Sequence, residues 1–359
     1  MTRGWRRSAW QPRPWRWQGT VSSTGCWRRC AICRGWTRVR APEFWAGPGR
    51  GGWRGAALAP LSALWRLATR RRLARGLPFD PGIPVICIGN VTAGGTGKTP
   101  FALLVAQRLI ALGRQPHFLS RGHGGSAAGP LQVMGQGADV VGDEPLLLAR
   151  AAPAWVARDR VAGAKAIRAA GGDVIVMDDG FQNPALKKRL SFLVLDGGAG
   201  LGNGRVIPAG PLREDWLEAR ARAQAIVIVG AETRAMPDTG SLPVLRAAIR
   251  PLDPAAFAGR RVFAFAGIGR PAKFFDSLAG AGAVVVATRA FADHHPYTPA
   301  EIEAVRAKAR ALDAVPVTTA KDAARLSGDR ARGIEVFEIG LAVDSPASLD
   351  QLLGVCLRD

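Results

Sequence analysis

Residues 84–100 have the sequence Pro-Val-Ile-Cys-Ile-Gly-Asn-Val-Thr-Ala-Gly-Gly-Thr-Gly-Lys-Thr-Pro. A short apolar run that leads into a glycine-rich loop predicts a buried strand followed by a phosphate-binding turn. Beyond residue 100, apolar side chains recur at helical spacing, at Phe101, Leu104, Val105, Leu109 and Leu112. Strand, glycine loop and helix in this order are the context in which such a loop binds a nucleotide.

The groups of this loop suit a triphosphate. Its N–H groups would converge on phosphate oxygens at the positive end of the helix. Lys98 would contact the β- and γ-phosphates, and the Thr99 hydroxyl would hold Mg2+. The pattern G-x4-G-K-[ST] requires glycine where Thr92 stands, and the alternative is an ordinary glycine-rich turn. We predict a nucleotide site formed by Thr92, Ala93, Gly94, Gly95, Thr96, Gly97, Lys98 and Thr99.

A second apolar run ends in an acidic pair. Residues 174–177 are followed by Asp178 and Asp179, and a carboxylate at the end of a parallel strand beside a phosphate loop supports Mg2+. The alternative is a solvated Asp-Gly turn. Further strand-like runs, mostly separated by helical stretches, occur at 192–195, 225–229, 262–266, 283–287 and 315–318. The predicted fold class is α/β, P-loop NTPase-like, with a mostly parallel sheet and helices on both faces.

The nucleotide base is suggested by residues 319–322. Their sequence, Thr-Ala-Lys-Asp, has the residue types of the Asn/Thr-Lys-x-Asp element that binds guanine, but the lysine comes one position too late. We therefore expect ATP rather than GTP.

The formal net charge of +21 is concentrated near the N-terminus. Residues 1–40 contain ten arginines and no acidic residue, and residues 41–80 contain seven more arginines against two acids. Residues 81–359 have a net charge of only +6, so we expect no nucleic-acid partner, although binding through the basic N-terminus is an alternative. The five cysteines do not form a secreted disulfide framework and indicate a reducing compartment.

The first forty residues combine Arg, Trp, Pro and Gly without an apolar period. We interpret 1–40 as a leader that is disordered or results from a mis-assigned start. Cys26, Cys30 and Cys33 have the spacing of an iron–sulfur site, but a cluster needs a shielding fold, which this composition does not predict.

Residues 53–75 have a different pattern. Leu58, Leu61, Leu64 and Leu67 recur three apart, and a group of arginines follows at 70–75. Such a helix is typical of a bilayer interface, with Leu and Trp among the acyl chains and Arg on anionic head groups. The alternative is a basic helix whose leucines pack on the domain. No segment is apolar for long enough to span a membrane.

Three polar clusters compete for the acceptor side of a phosphoryl transfer. They lie at 120–125 (Ser-Arg-Gly-His-Gly-Gly), 142–145 (Gly-Asp-Glu-Pro) and 291–297 (Phe-Ala-Asp-His-His-Pro-Tyr). Each one alone is also compatible with loop hydrogen bonding, so residue types do not choose among them.

In their order along the chain, these motifs resemble those of the tetraacyldisaccharide 4'-kinase family, from about residue 40 to the C-terminus. Besides the loop and the three clusters, the resemblance rests on Asp159-Arg160, Asp178-Asp-Gly-Phe-Gln182, Gly202-Asn-Gly-Arg205, Pro208-Ala-Gly-Pro-Leu-Arg-Glu214 and Phe265-Ala-Gly-Ile-Gly269. It implies transfer of the γ-phosphate of ATP to the 4'-hydroxyl of a lipid A disaccharide precursor. It also implies a peripheral enzyme at the cytoplasmic face of the inner membrane.

The resemblance also implies roles for individual residues. Asp143 is the expected base, and His294 its partner. Mg2+ and the nucleotide would be served by Thr99, Glu144, Asp178 and Asp179. The lipid head group and its phosphate would be bound by Arg121, His123, Arg160, Asn203 and Arg205.

The domain organisation follows from composition and resemblance together. We expect a leader at 1–40, an amphipathic membrane-interface region at 41–80, a P-loop kinase domain at 81–235 and a smaller C-terminal α/β domain at 236–359. Three residues depart from the family pattern: His123 for Tyr, Asn183 for His and Ala320 for Glu. A P-loop ATPase switch that cycles on and off membranes is the alternative function.

Overall fold

The computed structural model describes residues 42–47, 52–255, 257–326 and 328–358. The leader at 1–40, with Cys26, Cys30 and Cys33, lies outside the described residues. The helices are α1 (Gly52–Ala57), α2 (Ala59–Ala74), α3 (Lys98–Ala111), α4 (Ala138–Val141), α5 (Asp143–Leu148), α6 (Arg160–Ala169), α7 (Trp216–Arg220), α8 (Pro271–Gly280), α9 (Pro299–Ala311), α10 (Ala320–Ala323) and α11 (Pro346–Arg358). Short 3-10 turns lie at Glu43–Trp45 and Gly328–Arg330.

The strands form two sheets. They are β1 (Val85–Gly89), β2 (Pro116–Ser120), β3 (Leu131–Gln132), β4 (Ala154–Val156), β5 (Val174–Asp178), β6 (Leu190–Asp196), β7 (Ala225–Val229), β8 (Val244–Pro251), β9 (Arg261–Ala266), β10 (Val284–Ala290), β11 (Val315–Thr319), β12 (Glu335–Phe337) and β13 (Ile339–Val343). The large sheet has the order β13-β8-β7-β6-β1-β5-β2-β4-β3, and the small sheet has the order β10-β9-β11-β12. In the large sheet only the two edge strands, β13 and β3, pair antiparallel with their neighbours.

The large sheet is covered on both faces, as the α/β prediction requires. Alternate residues of β1 enter opposite cores, with Ile86 and Ile88 in one and Val85 and Cys87 in the other. The first core includes apolar residues of α3, α5 and α11, and the second includes residues of α6 and α7. Because β1 is buried in the middle of the sheet, the glycine loop that follows it opens at the centre of the sheet edge.

The predicted domain boundary between residues 235 and 236 does not match the sheets, because β8 and β13 follow this boundary in sequence but belong to the large sheet. β8 pairs with β7 in parallel, and β13 pairs with β8 in antiparallel orientation. Leu349, Leu353 and Cys356 of α11 are buried in the first core of the large sheet. The smaller unit is therefore an insertion that holds β9 to β12, and the chain returns from it to complete the unit built on the large sheet.

The region predicted to be an interfacial helix forms α1 and α2. Polar contacts attach α2 to the body: the hydroxyl of Ser62 donates to the backbone oxygen of Val206 at 2.8 Å, and the indole of Trp65 donates to that of Arg213 at 2.9 Å. Leu61 and Leu64 are 54% and 63% exposed. The alternative, in which the leucines pack on the domain, is therefore wrong. None of the described helices has both the length and the apolarity that a membrane crossing requires.

Candidate active site

The glycine loop connects β1 to α3 at the carboxyl edge of the large sheet. Gly97 caps α3 with φ 89°, a left-handed conformation that favours glycine, and a Cβ there would lie 3.2 Å from Val229. The side-chain amide of Asn90 donates to the backbone oxygen of Thr92 at 2.7 Å. The hydroxyl of Thr96 is buried without a hydrogen-bond partner among the described residues. Residues 93–95 are exposed, and the backbone N–H of Ala93 donates to the backbone oxygen of Pro211 at 2.8 Å.

The first turn of α3 faces the end of β5. The Thr99 hydroxyl donates to Oδ2 of Asp178 at 3.1 Å, and Nζ of Lys98 lies 3.5 Å from Oδ1 of Asp179. β1, which precedes the loop, and β5 are neighbours in the sheet, and Ile88 of β1 is in register with Asp178 of β5. The structure therefore brings together four of the side chains that the loop and the acidic pair predicted.

Asp178 has the properties of a metal ligand. Burial raises its pKa to about 6, although the charge of Lys98 opposes this shift. Its Oδ1 is buried and has no hydrogen-bond partner among the described residues. Oxygen donors of this kind suit Mg2+, which is usually held by one or two carboxylates together with substrate phosphates. Among the described residues, no group of three or more His, Cys, Asp and Glu side chains is placed to hold a metal ion.

Asp179 is held between two cations. Burial raises the pKa of Asp179, but the charges and hydrogen bonds of Lys98 and Arg213 lower it by more. The resulting pKa lies below the usual value of an aspartate. Nη1 of Arg213 donates to both carboxylate oxygens, at 3.1 and 3.2 Å. Asp179 has φ 52°, in the left-handed region that non-glycine residues rarely adopt. Arg213 belongs to the motif at residues 208–214 and is not among the predicted site residues.

Asp143, at the start of α5, contacts His294, which lies in the loop between β10 and α9. Nδ1 of His294 lies 2.5 Å from Oδ2 of Asp143, which is buried at the start of α5. Arg325 donates to both oxygens of the same carboxylate, at 2.9 and 2.6 Å. Burial raises the pKa of Asp143, but the hydrogen bonds from His294 and Arg325 lower it far more, and the carboxylate is ionised well below the usual pKa. The predicted pair of Asp143 and His294 is therefore present as a contact.

Glu144 contacts a cation of the small sheet. Nζ of Lys321 donates to Oε1 of Glu144 at 2.6 Å and lies 3.4 Å from Nε2 of His294. Metal binding by Glu144 stays a prediction, because its carboxylate is paired with Lys321 in this structure. Lys321 is the displaced lysine of the guanine-type segment at 319–322, whereas nothing in the sequence indicates a role for Arg325.

The residues predicted to bind the head group lie in two places. Arg121 and His123 are exposed on the loop after β2, and Arg160 is buried at the start of α6, where its Nε has no partner among the described residues. Burial lowers the pKa of Arg160 to about 10, and the nearby charge of Arg121 lowers it as well. Nη1 of Arg160 donates to the backbone oxygen of Ala157, and binding of an anionic head group by Arg121 and Arg160 stays a prediction.

Asn203 and Arg205 lie near α1 and α2 instead. The amide of Asn203 donates to the backbone oxygens of Phe44 and Ala209, both at 2.9 Å, and its Oδ1 accepts from the backbone N–H of Arg205 at 3.1 Å. Both amide hydrogens of Asn203 are thus used within the protein, so the structure gives it a role in attaching the N-terminal segment. The side chain of Arg205 is exposed.

The family model described as tetraacyldisaccharide-1-P 4'-kinase, LpxK, matches residues 54–357. The chain belongs to this family. Among relatives of this LpxK family member, the tetraacyldisaccharide 4'-kinase of Rhodospirillum centenum is 52% identical over 329 residues, which cover 89% of this chain and 97% of the relative. That of Rhodospirillum rubrum is 47% identical over 324 residues, covering 88% and 97%.

A solved LpxK structure has the same fold. The protein from Aquifex aeolicus, described as an "apo" form in complex with ATP, superposes with a TM-score of 0.72 at 25% identity and covers 85% of this chain and 99% of its own. The predicted P-loop α/β fold and the predicted family are therefore confirmed. Of the three departures from the LpxK pattern, Asn183 accepts a hydrogen bond from the backbone N–H of Ala185 at 2.9 Å, and Ala320 is the first residue of α10.

Proposed function

We propose that this protein transfers the γ-phosphate of ATP to the 4'-hydroxyl of tetraacyldisaccharide 1-phosphate, which forms lipid IVA in lipid A biosynthesis. The observation that supports this most directly is the convergence of two sets of groups at one edge of the large sheet. The phosphate loop with Lys98 and Thr99 faces Asp178, and a second carboxylate, Asp143, is held by His294. Family membership supplies the identity of the acceptor.

Phosphoryl transfer needs positioning and charge neutralisation more than covalent chemistry. The backbone N–H groups of the loop beyond Ala93 and the ammonium of Lys98 bind the phosphate oxygens of ATP. Thr99 and Asp178 would hold Mg2+, which neutralises charge on the phosphates when it is bound. Asp179, fixed by Arg213, keeps Lys98 directed toward this position.

Asp143 accepts the proton of the sugar hydroxyl. A carboxylate offers about four lone-pair positions, and in Asp143 three of them receive N–H donors, one from His294 and two from Arg325. The remaining position belongs to Oδ1, which is where the hydroxyl donates. As the 4'-oxygen bonds to the γ-phosphorus, the bond to the β–γ bridging oxygen breaks, Oδ1 takes the proton and ADP leaves.

The substrate's own phosphate and acyl chains are bound elsewhere. Arg121 and Arg160 provide the positive charge for an anionic head group, because guanidinium groups form paired hydrogen bonds to phosphate. The exposed leucines of α2 and its arginines lie at the cytoplasmic face of the inner membrane. Removing one long acyl chain from a bilayer costs more than ~8 kcal/mol at ~0.8 kcal/mol per CH2, so the enzyme meets its substrate at the membrane surface.

The direct test is mass spectrometry of a purified tetraacyldisaccharide 1-phosphate incubated with ATP, Mg2+ and the protein. We expect a mass increase of one phosphate on the lipid and none with Lys98→Ala. Lys187→Ala is the matched control, because Lys187 is an exposed lysine paired with Asp80 away from the loop. Steady ATP hydrolysis without lipid, and no phosphorylated lipid, would instead support the membrane-cycling ATPase.

Asp143→Asn tests the base within the same assay. The amide keeps the shape of the side chain but does not accept a proton, so we expect kcat to fall ~10² to 10⁴-fold, the range for general acid–base groups. The affinity for ATP should stay close to that of the parent protein. Weaker ATP binding with unchanged kcat would assign Asp143 to the nucleotide or metal site.

A further inference from the structure

Arg325 lies in the turn after α10 and contacts two carboxylates, that of Asp322 three residues before it and that of Asp143, which is 182 residues away in sequence. Its Nε and Nη2 donate to the two oxygens of Asp143, and its Nη1 donates to Oδ1 of Asp322 and to the backbone oxygen of Gly267, both at 3.0 Å. We propose that Arg325 is the positioning residue for Asp143, holding that carboxylate at a fixed place and angle across the cleft between the two sheets. The inference rests on the proposed role of Asp143 as base.

The guanidinium group of Arg325 is held in place by Asp322 and Gly267, which belong to the same smaller unit. Asp322 is fully buried, and its Oδ1 also accepts from the hydroxyl of Tyr297 at 2.8 Å and from the backbone N–H of Gly267 at 2.9 Å. Its Oδ2 accepts from the hydroxyl of Thr319 at 2.6 Å. Arg325 therefore presents an ordered fork to Asp143, and little side-chain entropy is lost when the two groups meet.

Gly267 couples Arg325 to His294. Its backbone oxygen accepts from the backbone N–H of His294 at 2.9 Å and from Nη1 of Arg325 at 3.0 Å. A Cβ at residue 267 would lie 3.0 Å from the hydroxyl of Tyr297 and from the backbone oxygen of Ala292. A larger residue would therefore push against these two atoms and shift the carbonyl of residue 267. One carbonyl thus accepts from both the backbone of His294 and the guanidinium of Arg325, the two residues whose side chains donate to Asp143.

The bidentate contact of Arg325 fixes the orientation of the Asp143 carboxylate, which a single positive charge would not do. Two parallel N–H donors fix the plane of a carboxylate, whereas the ammonium of lysine acts as a point charge. Because the free lone pair of Asp143 lies on Oδ1, rotation of the carboxylate would move it away from the sugar hydroxyl. A misplacement of about 1 Å costs ~10²-fold in rate.

The competing explanation is that Arg325 only joins the two sheets. Arg150 provides a control for this, because its Nη1 donates to Glu338 at 2.7 Å and links the end of α5 to the segment between β12 and β13 without contacting Asp143. If joining these parts of the chain were sufficient, loss of either arginine would have a similar effect on turnover.

The experiment compares Arg325→Lys, Arg325→Ala and Arg150→Ala in the full-length protein. We expect Arg325→Lys to fold, to keep its KM for ATP within about twofold, and to lose ~10²-fold in kcat. Arg325→Ala should lose at least as much, and guanidinium chloride at low millimolar concentration should restore part of its kcat. Arg150→Ala should keep the parent kcat.

A double-variant cycle with Asp143→Asn completes the test. If Arg325 acts through Asp143, adding Arg325→Lys to Asp143→Asn should produce no further loss of kcat, because the group that it positions is already gone. A kcat for Arg325→Lys within about threefold of the parent, multiplicative losses in the double variant, or an equal loss in Arg150→Ala would each overturn the proposal. Normal kcat in Asp143→Asn itself would instead show that the assignment of the base has failed.

Discussion

Asp178 is the residue whose environment most clearly requires a partner that the protein does not supply. Its carboxylate is buried beside one hydroxyl, that of Thr99, and its Oδ1 has no donor among the described residues. A buried charge without compensation is costly, and burial accordingly raises the pKa of Asp178 to about 6. A divalent cation would remove this cost by taking the place of the proton.

This competition gives a prediction for the pH dependence of metal use. A raised pKa means that the proton is bound below about pH 6, and a metal ligand must be deprotonated. We therefore expect the Mg2+ concentration for half-maximal turnover to increase as the pH falls from 7.5 to 5.5, roughly tenfold for each pH unit below the pKa. Asp178→Asn should abolish this dependence together with most of the activity. An Mg2+ requirement that is the same at both pH values would exclude Asp178 as a ligand.

The residues that sequence predicted correctly as neighbours belong to local motifs, except the pair of Asp143 and His294, which only the family resemblance predicted. Lys98 and Thr99 are fixed by the loop that precedes α3, and Asp178 by the end of an adjacent strand. Arg213 and Arg325 escaped prediction because their importance comes from partners far away in sequence, Asp179 and Asp143. An arginine in an alanine-rich turn has no local pattern that separates it from the many arginines of this chain.

At the scale of the element, α2 attaches to the body by its polar side. Arg66 lies 3.1 Å from Asp215, and Arg70 donates from Nε to Glu218 at 2.7 Å. Leu61 and Leu64 remain exposed. The periodicity of the leucines predicted the helix, but only the structure distinguishes a stripe that packs inward from one that faces outward.

The prediction for this element concerns vesicle binding. Replacing both Leu61 and Leu64 with serine removes about 1 kcal/mol of apolar burial per half-exposed leucine, and so should weaken binding to anionic phospholipid vesicles roughly 30-fold. Sedimentation with vesicles measures this directly. Leu112→Ser is the matched control, because Leu112 is 47% exposed at the end of α3. Equal binding by the double variant and the parent protein would remove α2 from the membrane contact.

At the scale of the whole molecule, the sequence predicted the class of fold but placed one boundary wrongly. Fully buried strands such as β6 and β7 are recognisable from their apolar runs. The strands with which β8 and β13 pair depend instead on contacts between segments that are distant in sequence. Arg108 of α3 donates from Nε to Asp350 of α11 at 2.8 Å across a separation of 242 residues. No local pattern predicts a return of the chain over such a distance.

The returning helix should therefore stabilise the kinase body. Leu353 is fully buried in the core beside β1 and α3, so Leu353→Ala should lower the free energy of unfolding by about 2–5 kcal/mol. Val355, on the same helix, is 53% exposed, and Val355→Ala should change it by less than about 0.5 kcal/mol. Urea unfolding measures both. A small effect of Leu353→Ala would mean that α11 contributes little to the core.

The insertion of the small sheet has a mechanical consequence. The chain leaves the large sheet at Pro251 and re-enters it at Ile339, and these two residues are paired neighbours at its edge. A unit tethered at two adjacent points rotates about the line that joins them, and sliding is restricted. Arg325, which lies on that unit, should then contact Asp143 in the same orientation in every catalytic cycle, after product leaves and new nucleotide binds. The connectivity of the backbone would thus keep the two side chains aligned.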